Sequence, residues 1–298
     1  MMEFMKREGQ LLDDWEYSGE TRVGHIHFIN CLPLTYSLEC AGFGRGLHIT
    51  ADSPSVLNRM AVAGELDVTP VSSIIYAQHS EKFVVLPNLS ISADGFVQSI
   101  LLVSRRPIEE LSGARVALTA KSATSHGLLK IILHQAYQLP VTPDYFITPH
   151  NLETGALAGA EAVLLIGDDA LATYHHRTEE YFYYDLGAEW KRFTGHRMVY
   201  AVWVARREFA ARRPDLLKLA YERIAGGFSF GLANIRSAAE VLSDRTAFSQ
   251  GQILNYLNLI NYGLSASHCE ALLAYYRAAA ETGLIEKVPE LCFAEVNR

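Results

Sequence analysis

No C-x-x-C pair occurs in this sequence, and its four cysteines, Cys31, Cys40, Cys269 and Cys292, have no companion histidines at zinc-type spacing. Neither a zinc module nor a disulfide framework is indicated, and buried or idle thiols fit a reducing compartment. A basic surplus is also missing: 26 Lys and Arg against 33 Asp and Glu leave a net charge of −7. That balance argues against a general binder of nucleic acid or anionic membranes. An anionic ligand must then be held by local groups. No apolar run approaches the roughly 20 residues that span a bilayer, so no membrane partner is expected. The opening stretch MMEFMKREGQLLDDWEYSGE scatters Glu3, Glu8, Asp13, Asp14 and Glu16 among its apolar residues and lacks the apolar core of a signal peptide. It is expected to be a loose tail over residues 1–20 of a cytoplasmic protein. Repeats of solenoid period and low-complexity segments are absent too.

What is present is ordinary globular composition, 49% hydrophobic and 20% charged over 298 residues, enough for two core-bearing lobes of roughly 100 to 150 residues each. The organising stretch is VGHIHFINCLPLTYSL, residues 23–38. Val23, Ile26, Phe28 and Ile29 read as a buried strand, Asn30 stands at the break, and Pro33 suits the first turn of a helix, where its missing N–H costs nothing. Ligands of open α/β sheets bind beyond the carboxyl ends of strands, where helix N-termini favour anions.

The same device recurs. Residues 66–71 form a strand running into Ser72 and Ser73, and residues 115–119 (RVALT) run into the polar turn Lys121 to Ser125. Asp52-Ser53-Pro54 opens a helix that stops at Gly64. Runs at 83–89, 98–103 and 198–205 read as strands, the last two apolar enough to be buried on both faces. Between them come strands at 145–148 and 162–166, a helix near 152–158, a helix opened by Asp168-Asp169, and an amphipathic segment from Asp185-Leu186-Gly187 to Gly195. Alternation of this kind implies parallel βαβ units. Beyond Arg206 the pattern is almost wholly helical, at 214–224, 234–242, 252–260 and 267–282, the last opening with a capping box, Ser267-x-x-Glu270.

If the apolar strands near 100 and near 200 are crossings, residues 21–102 and 203–298 form one discontinuous lobe and 103–202 an inserted second lobe. The ligand cleft is then expected between the lobes. Asn30, Ser72, Ser73, Ser99, Ser122, Thr124, Ser125, Asp168 and Asp169 fall at strand ends or beside a crossing and are the candidate cleft residues.

The segments INCLPL (29–34), TPVSSIIYA (69–77), SILLVS (99–104), LTAKSATSHGLLKIIL (118–133), LIGDDAL (165–171), DLGAEWKRFTG (185–195), AVWVARR (201–207) and YLNLINYGLS (256–265) resemble the chorismate dehydratases, which open the futalosine route to menaquinone. The resemblance runs in order from about residue 22 to 280, and the combination of S-x-T-S, G-D-D-A and D-L-G-x-x-W makes it specific. It implies an α/β, two-lobed fold similar to type II periplasmic binding proteins with a helical C-terminal segment. It also implies a hydro-lyase that converts chorismate to 3-enolpyruvylbenzoate with no metal or organic cofactor. On that footing Asn30 lies at the reacting face, the Ser122 to Ser125 turn can hold one substrate carboxylate, and Ser72, Ser73 and Asn30 on the other lobe can hold the second. The proton acceptor is left open between an aspartate and the substrate's own side-chain carboxylate.

Plainer roles exist for the same residues. Ser72, Ser122 and Asn30 are ordinary helix caps on spacing alone, and Asp168-Asp169 suits a helix dipole. His25 with His27, and His175 with His176, lack a clear third metal ligand. Trp190 and Trp203 read as core, and Arg105 and Arg106 as solvated charge, while Lys121 is placed to attract a dianion. The sequence departs from the family pattern at His126 and at His196-Arg197-Met198, which touches substrate preference. Two other functions stay open: 1,4-dihydroxy-6-naphthoate synthase of the same pathway, which resembles P-G-x-x-T-T/A where this chain reads A-K-S-A-T-S, and a non-catalytic cytosolic binder of a carboxylated small molecule.

Overall fold

A computed structural model of the chain describes residues 20–152 and 154–296 and gathers their strands into two sheets. Except for Glu20, the expected N-terminal tail lies outside the described residues. The first run is β1 (Thr21–Ile26), a 3₁₀ turn (Ile29–Cys31), α1 (Leu32–Cys40), β2 (Leu47–Asp52) and α2 (Pro54–Ala63). It continues with β3 (Val68–Ser72), α3 (Ser73–Gln78) and β4 (Phe83–Ala93). After a crossing come β5 (Ile100–Ser104), β6 (Arg115–Thr119), α4 (Thr124–Ile131) with a π-helical extension (Ile132–Ala136), and β7 (Asp144–Thr148). The same lobe ends with β8 (Ala162–Ile166), α5 (Gly167–His175), β9 (Phe182–Asp185) and α6 (Leu186–Thr194). The chain returns along β10 (Met198–Arg206) into α7 (Arg207–Arg212), α8 (Pro214–Ala233), α9 (Ile235–Ser243), α10 (Gln250–Leu257), β11 (Ile260–Asn261) and α11 (Ala266–Glu281).

The six-stranded sheet runs β11-β4-β10-β3-β1-β2 and the five-stranded sheet β7-β6-β8-β5-β9. In each, the parallel neighbours are those joined by helices: β1 with β2 and β3, and β6 with β7 and β8. The crossing strands run against that grain, β10 antiparallel to β3 and β4, and β5 antiparallel to β8 and β9. The divisions expected at 102 and 203 fall inside β5 and β10, each of which belongs wholly to one sheet.

Burial explains the apolar run of β5. Ile100 and Leu102 enter the main core, while Leu101 and Val103 pack into a smaller cluster with Leu157, Ala160 and Val163 on the opposite face. The main core continues through both lobes and takes in Trp190 and Trp203, both fully buried. Trp203 sets an edge against Phe228 and Trp190 against Tyr275.

The first crossing is fastened by Asp185. Its buried carboxylate caps α6 through the N–H groups of Gly187 and Ala188 and also accepts those of Val97 and Gln98. Burial lifts its pKa above the usual aspartate range even against these four donors.

Several local expectations change. The strand read through Ile29 ends at Ile26, with Ile29 in the 3₁₀ turn, and the helix read over 252–260 stops at Leu257, leaving Ile260 in β11. The segment near 152–158 forms turns at its described positions, because Gly155 and Gly159 both adopt left-handed backbone (φ 92° and 73°) that ends any helical ladder. The capping box of the last helix belongs to Ser265 with His268 at its third position, so Ser267 lies inside the first turn. Helix α8 runs on past residue 224 to Ala233.

Candidate active site

Because β1 pairs with β3 and β6 with β8, their carboxyl ends come out side by side in each lobe. One lobe presents the Asn30 turn beside Ser72 and Ser73; the other presents the Ser122 to Ser125 turn beside Gly167 and Asp168. Two hydrogen bonds join these ends across the lobes. Ile29 N–H donates to Asp168 Oδ1 at 3.1 Å, and Ile74 N–H donates to Thr124 Oγ1 at 3.3 Å. The candidates therefore fall into two groups, which we call corners, where the carboxyl ends of the two sheets meet.

The first corner holds Asn30, Ser99 and Asp168. Gly167 has φ +60°, and a Cβ there would lie 2.8 Å from the Phe28 ring, so only glycine lets β8 end so close to the Asn30 turn. Gly167 N–H donates to Ser99 C=O at 2.8 Å, which ties the crossing to the start of α5. Asn30 is half-buried, and its Oδ1 is buried with no hydrogen-bond partner among the described residues. An amide oxygen in that state is an acceptor awaiting a donor. Burial raises the Asp168 pKa and Asp169 adds to the rise, while the Ile29 N–H, His27 and Lys121 oppose it.

The second corner holds Ser73 and Thr124, with Ser122 and Ser125 beside them. Ser122 Oγ donates to Ser125 Oγ at 3.1 Å and accepts the Ser125 N–H at 3.3 Å, so it does serve as a cap. Ser73 Oγ donates to Val199 C=O at 2.7 Å. Ser72 exchanges two hydrogen bonds with Asn58, accepting from Nδ2 and donating its N–H to Oδ1, each at 2.9 Å. These two serines therefore have partners within their own lobe. Lys121 is paired with Asp169 Oδ2 at 2.5 Å, and Asn151 donates to the other oxygen of that carboxylate.

Four tyrosines of the C-terminal segment support these corners from beneath, and sequence reasoning assigned them no role. Tyr256 O–H donates to Ser99 Oγ at 2.8 Å, and Tyr262 O–H to Asn30 C=O at 2.7 Å. Tyr275 O–H donates to Thr124 C=O at 3.2 Å and Tyr276 O–H to Ser73 C=O at 2.9 Å. All four are buried, and burial first of all drives each phenol pKa upward, keeping it a neutral donor. The sequence did carry a signal, since Tyr256 and Tyr262 open and close YLNLINY.

The unusual residues have local partners. His126 Nε2 donates to Thr119 C=O at 2.7 Å. Arg197 contacts His268 Nε2 at 2.9 Å and Asp94 at 3.9 Å, beside the second crossing. His25 is buried and bonded to Thr35 Oγ1 at 2.8 Å, whereas His27 is exposed. Among the described residues no three His, Cys, Asp or Glu side chains are placed to hold a metal ion. No helix among them is long and apolar enough to cross a membrane.

Comparison with known proteins gives this geometry a context. The profile of a family described as menaquinone biosynthesis matches residues 21–281. A chorismate dehydratase of Thermus thermophilus is 32% identical over 270 residues, covering 86% of this chain and 94% of that protein. A 1,4-dihydroxy-6-naphthoate synthase of the same organism is 26% identical over 244 residues, covering 80% of this chain and 85% of that one. A solved protein of Archaeoglobus fulgidus superposes with a TM-score of 0.73 at 20% identity, covering 90% of this chain and all of the other. The periplasmic aliphatic sulphonate binding protein of Escherichia coli superposes with a TM-score of 0.63 at 13% identity, covering 92% of this chain and 90% of that one. The fold is thus periplasmic-binding-protein-like.

Proposed function

Since the chain belongs to the menaquinone biosynthesis family, we propose that it is a chorismate dehydratase, forming 3-enolpyruvylbenzoate and water from chorismate. The observation that carries this reading is its match to the Thermus chorismate dehydratase over nearly the whole of both chains. The same reading assigns the step to the futalosine route and to the cytoplasm, on the strength of the motif resemblance. It also takes the sheets as two lobes that part at residues 94–99 and 195–197 to admit substrate.

The reaction removes the ring proton beside the enolpyruvyl ether and the hydroxyl on the neighbouring carbon, which leave together as water. The ring becomes aromatic, so the later part of the reaction is downhill. What the protein must supply is orientation and one managed proton transfer.

Asn30 is assigned to the reacting face, its unpartnered amide oxygen accepting a substrate hydroxyl. Ser99 and Asp168, in the same corner, complete the contacts around the reacting carbons. Ser122, Thr124 and Ser125 bind one substrate carboxylate from the start of α4, and Ser72 and Ser73 face the second from the start of α3, where Ser73 would first have to release its proton from Val199 C=O.

Asp168, with its pKa raised by burial, is a stronger base than an exposed aspartate. Asp168→Asn tests whether it takes the proton: complete loss of turnover with retained chorismate binding assigns the base to Asp168, and residual turnover assigns it to the substrate's own carboxylate. Appearance of an aromatic product when chorismate is added to the wild-type protein tests the function itself. Intact chorismate, with consumption of a cyclised nucleoside-derived substrate instead, would favour the naphthoate synthase.

A further inference from the structure

Ser99 stands where the first crossing enters the second lobe, and its hydroxyl is buried. Tyr256 reaches it from α10, 157 positions further along the chain, and donates its phenolic proton at 2.8 Å. A serine oxygen has two lone pairs and one proton. With one lone pair filled by Tyr256, the Ser99 proton must be directed elsewhere, and no acceptor for it occurs among the described residues. The backbone of Ser99 is fixed as well, since its C=O accepts the N–H of Gly167, next to Asp168.

We propose that Tyr256 is a positioning residue of the dehydration: it acts through Ser99, aiming that hydroxyl's proton at the hydroxyl of chorismate that leaves as water. A donor held there assists departure of the hydroxyl, because it stabilises negative charge as the carbon–oxygen bond breaks. The phenol is suited to the task because it is neutral and fully buried, and burial in an apolar core holds it protonated. It therefore stays a donor to Ser99. The hydrogen bond between two buried hydroxyls also makes the pair cooperative, each polarising the next. This inference rests on the proposed dehydratase function.

A double-mutant cycle tests it. Tyr256→Phe removes one oxygen atom and keeps the ring in its pocket. It should lower kcat for chorismate by about 10-fold while KM changes by less than about 2-fold, as expected when an interaction matters in the transition state alone. Ser99→Ala should lower kcat further, and adding Tyr256→Phe to Ser99→Ala should cost nothing more, because the phenol has no hydroxyl left to orient. Fluorotyrosine at position 256 keeps the donor and should hold kcat within about 2-fold of wild type, which separates loss of the hydroxyl from disturbance of the ring's pocket. Equal losses from Tyr256→Phe in the wild-type and Ser99→Ala backgrounds would overturn the inference and leave Tyr256 a structural residue. A wild-type protein that leaves chorismate intact overturns the function reading and this inference with it. An active wild type with additive losses overturns this inference alone.

Discussion

The amide of Ile29 and the carboxylate of Asp168, 139 positions apart in the chain, meet at 3.1 Å and join the carboxyl end of β1 to the start of α5 across the two lobes. The contact sets the Asp168 carboxyl group on the N–H that opens the Asn30 turn. A buried acid thus ties the two sheets together beside Asn30.

That acid carries a pH signature. Burial raises the folded-state pKa of Asp168 above the unfolded value of 3.8, so the folded protein takes up the proton first. Its contribution to stability is present in acid and is lost as pH rises through the folded-state value. Asp168→Asn, neutral at every pH, is therefore expected to raise the melting temperature at pH 7, with the gain closing below about 3.8, the unfolded value. Thermal melts of both proteins across this range check it.

Asn30→Ala is expected to lower turnover of chorismate by about 100-fold or more, the scale of removing one well-placed polar group from a reacting centre. The change in stability should stay within about 1 kcal/mol, because the side-chain oxygen has no partner among the described residues and the Tyr262 hydrogen bond goes to the backbone. Steady-state kinetics and denaturant melts separate the two. An unchanged kcat would remove Asn30 from the site.

Ser122→Ala is expected to weaken chorismate binding by about 5- to 10-fold, roughly one neutral-to-charged hydrogen bond. The rate at saturation should change by less than about 2-fold. Calorimetric titration beside kinetics checks the split, and an effect confined to kcat would move Ser122 from binding to chemistry.

His25 supplies a second pH dependence, away from the chemistry. Thr35 Oγ1 gives its proton to Cys31 C=O, so His25 Nε2 must donate to it and Nδ1 is left bare and buried. Burial first, and then neighbouring His27, lowers the His25 pKa to about 4. The folded pKa lies below the unfolded 6.5, so the contribution is whole above pH 6.5 and is lost as pH falls towards 4. The loss is on the order of 3 kcal/mol. Urea melts between these pH values check it, and His25→Gln should flatten the slope.

The strand-to-helix junctions were legible because each rests on local chemistry: an apolar run, a polar break, then a proline, serine or aspartate suited to a first turn. Asp185 capping α6 and Gly195 ending it follow from such spacing. Strand β2 was not visible, because only Leu47 of LHITAD is buried and its pattern is weak. The occupied hydroxyls of Ser72 and Ser73 were hidden for another reason. Their partners, Asn58 and Val199, are brought by tertiary packing from 14 and 126 positions away. The supporting tyrosines are of the same kind: aromatic residues at helical spacing read as core, and only the fold shows which backbone group each hydroxyl meets.

The central claim is dehydration of chorismate at the Asn30 corner, and its most direct test is mass spectrometry of chorismate incubated with purified, metal-stripped protein beside the Asn30→Ala variant. A product lighter by one water, formed far above the protein-free control by the wild type and much more slowly by the variant, is the expected result. Chorismate recovered intact from the wild type, or equal rates in the two proteins, would contradict it.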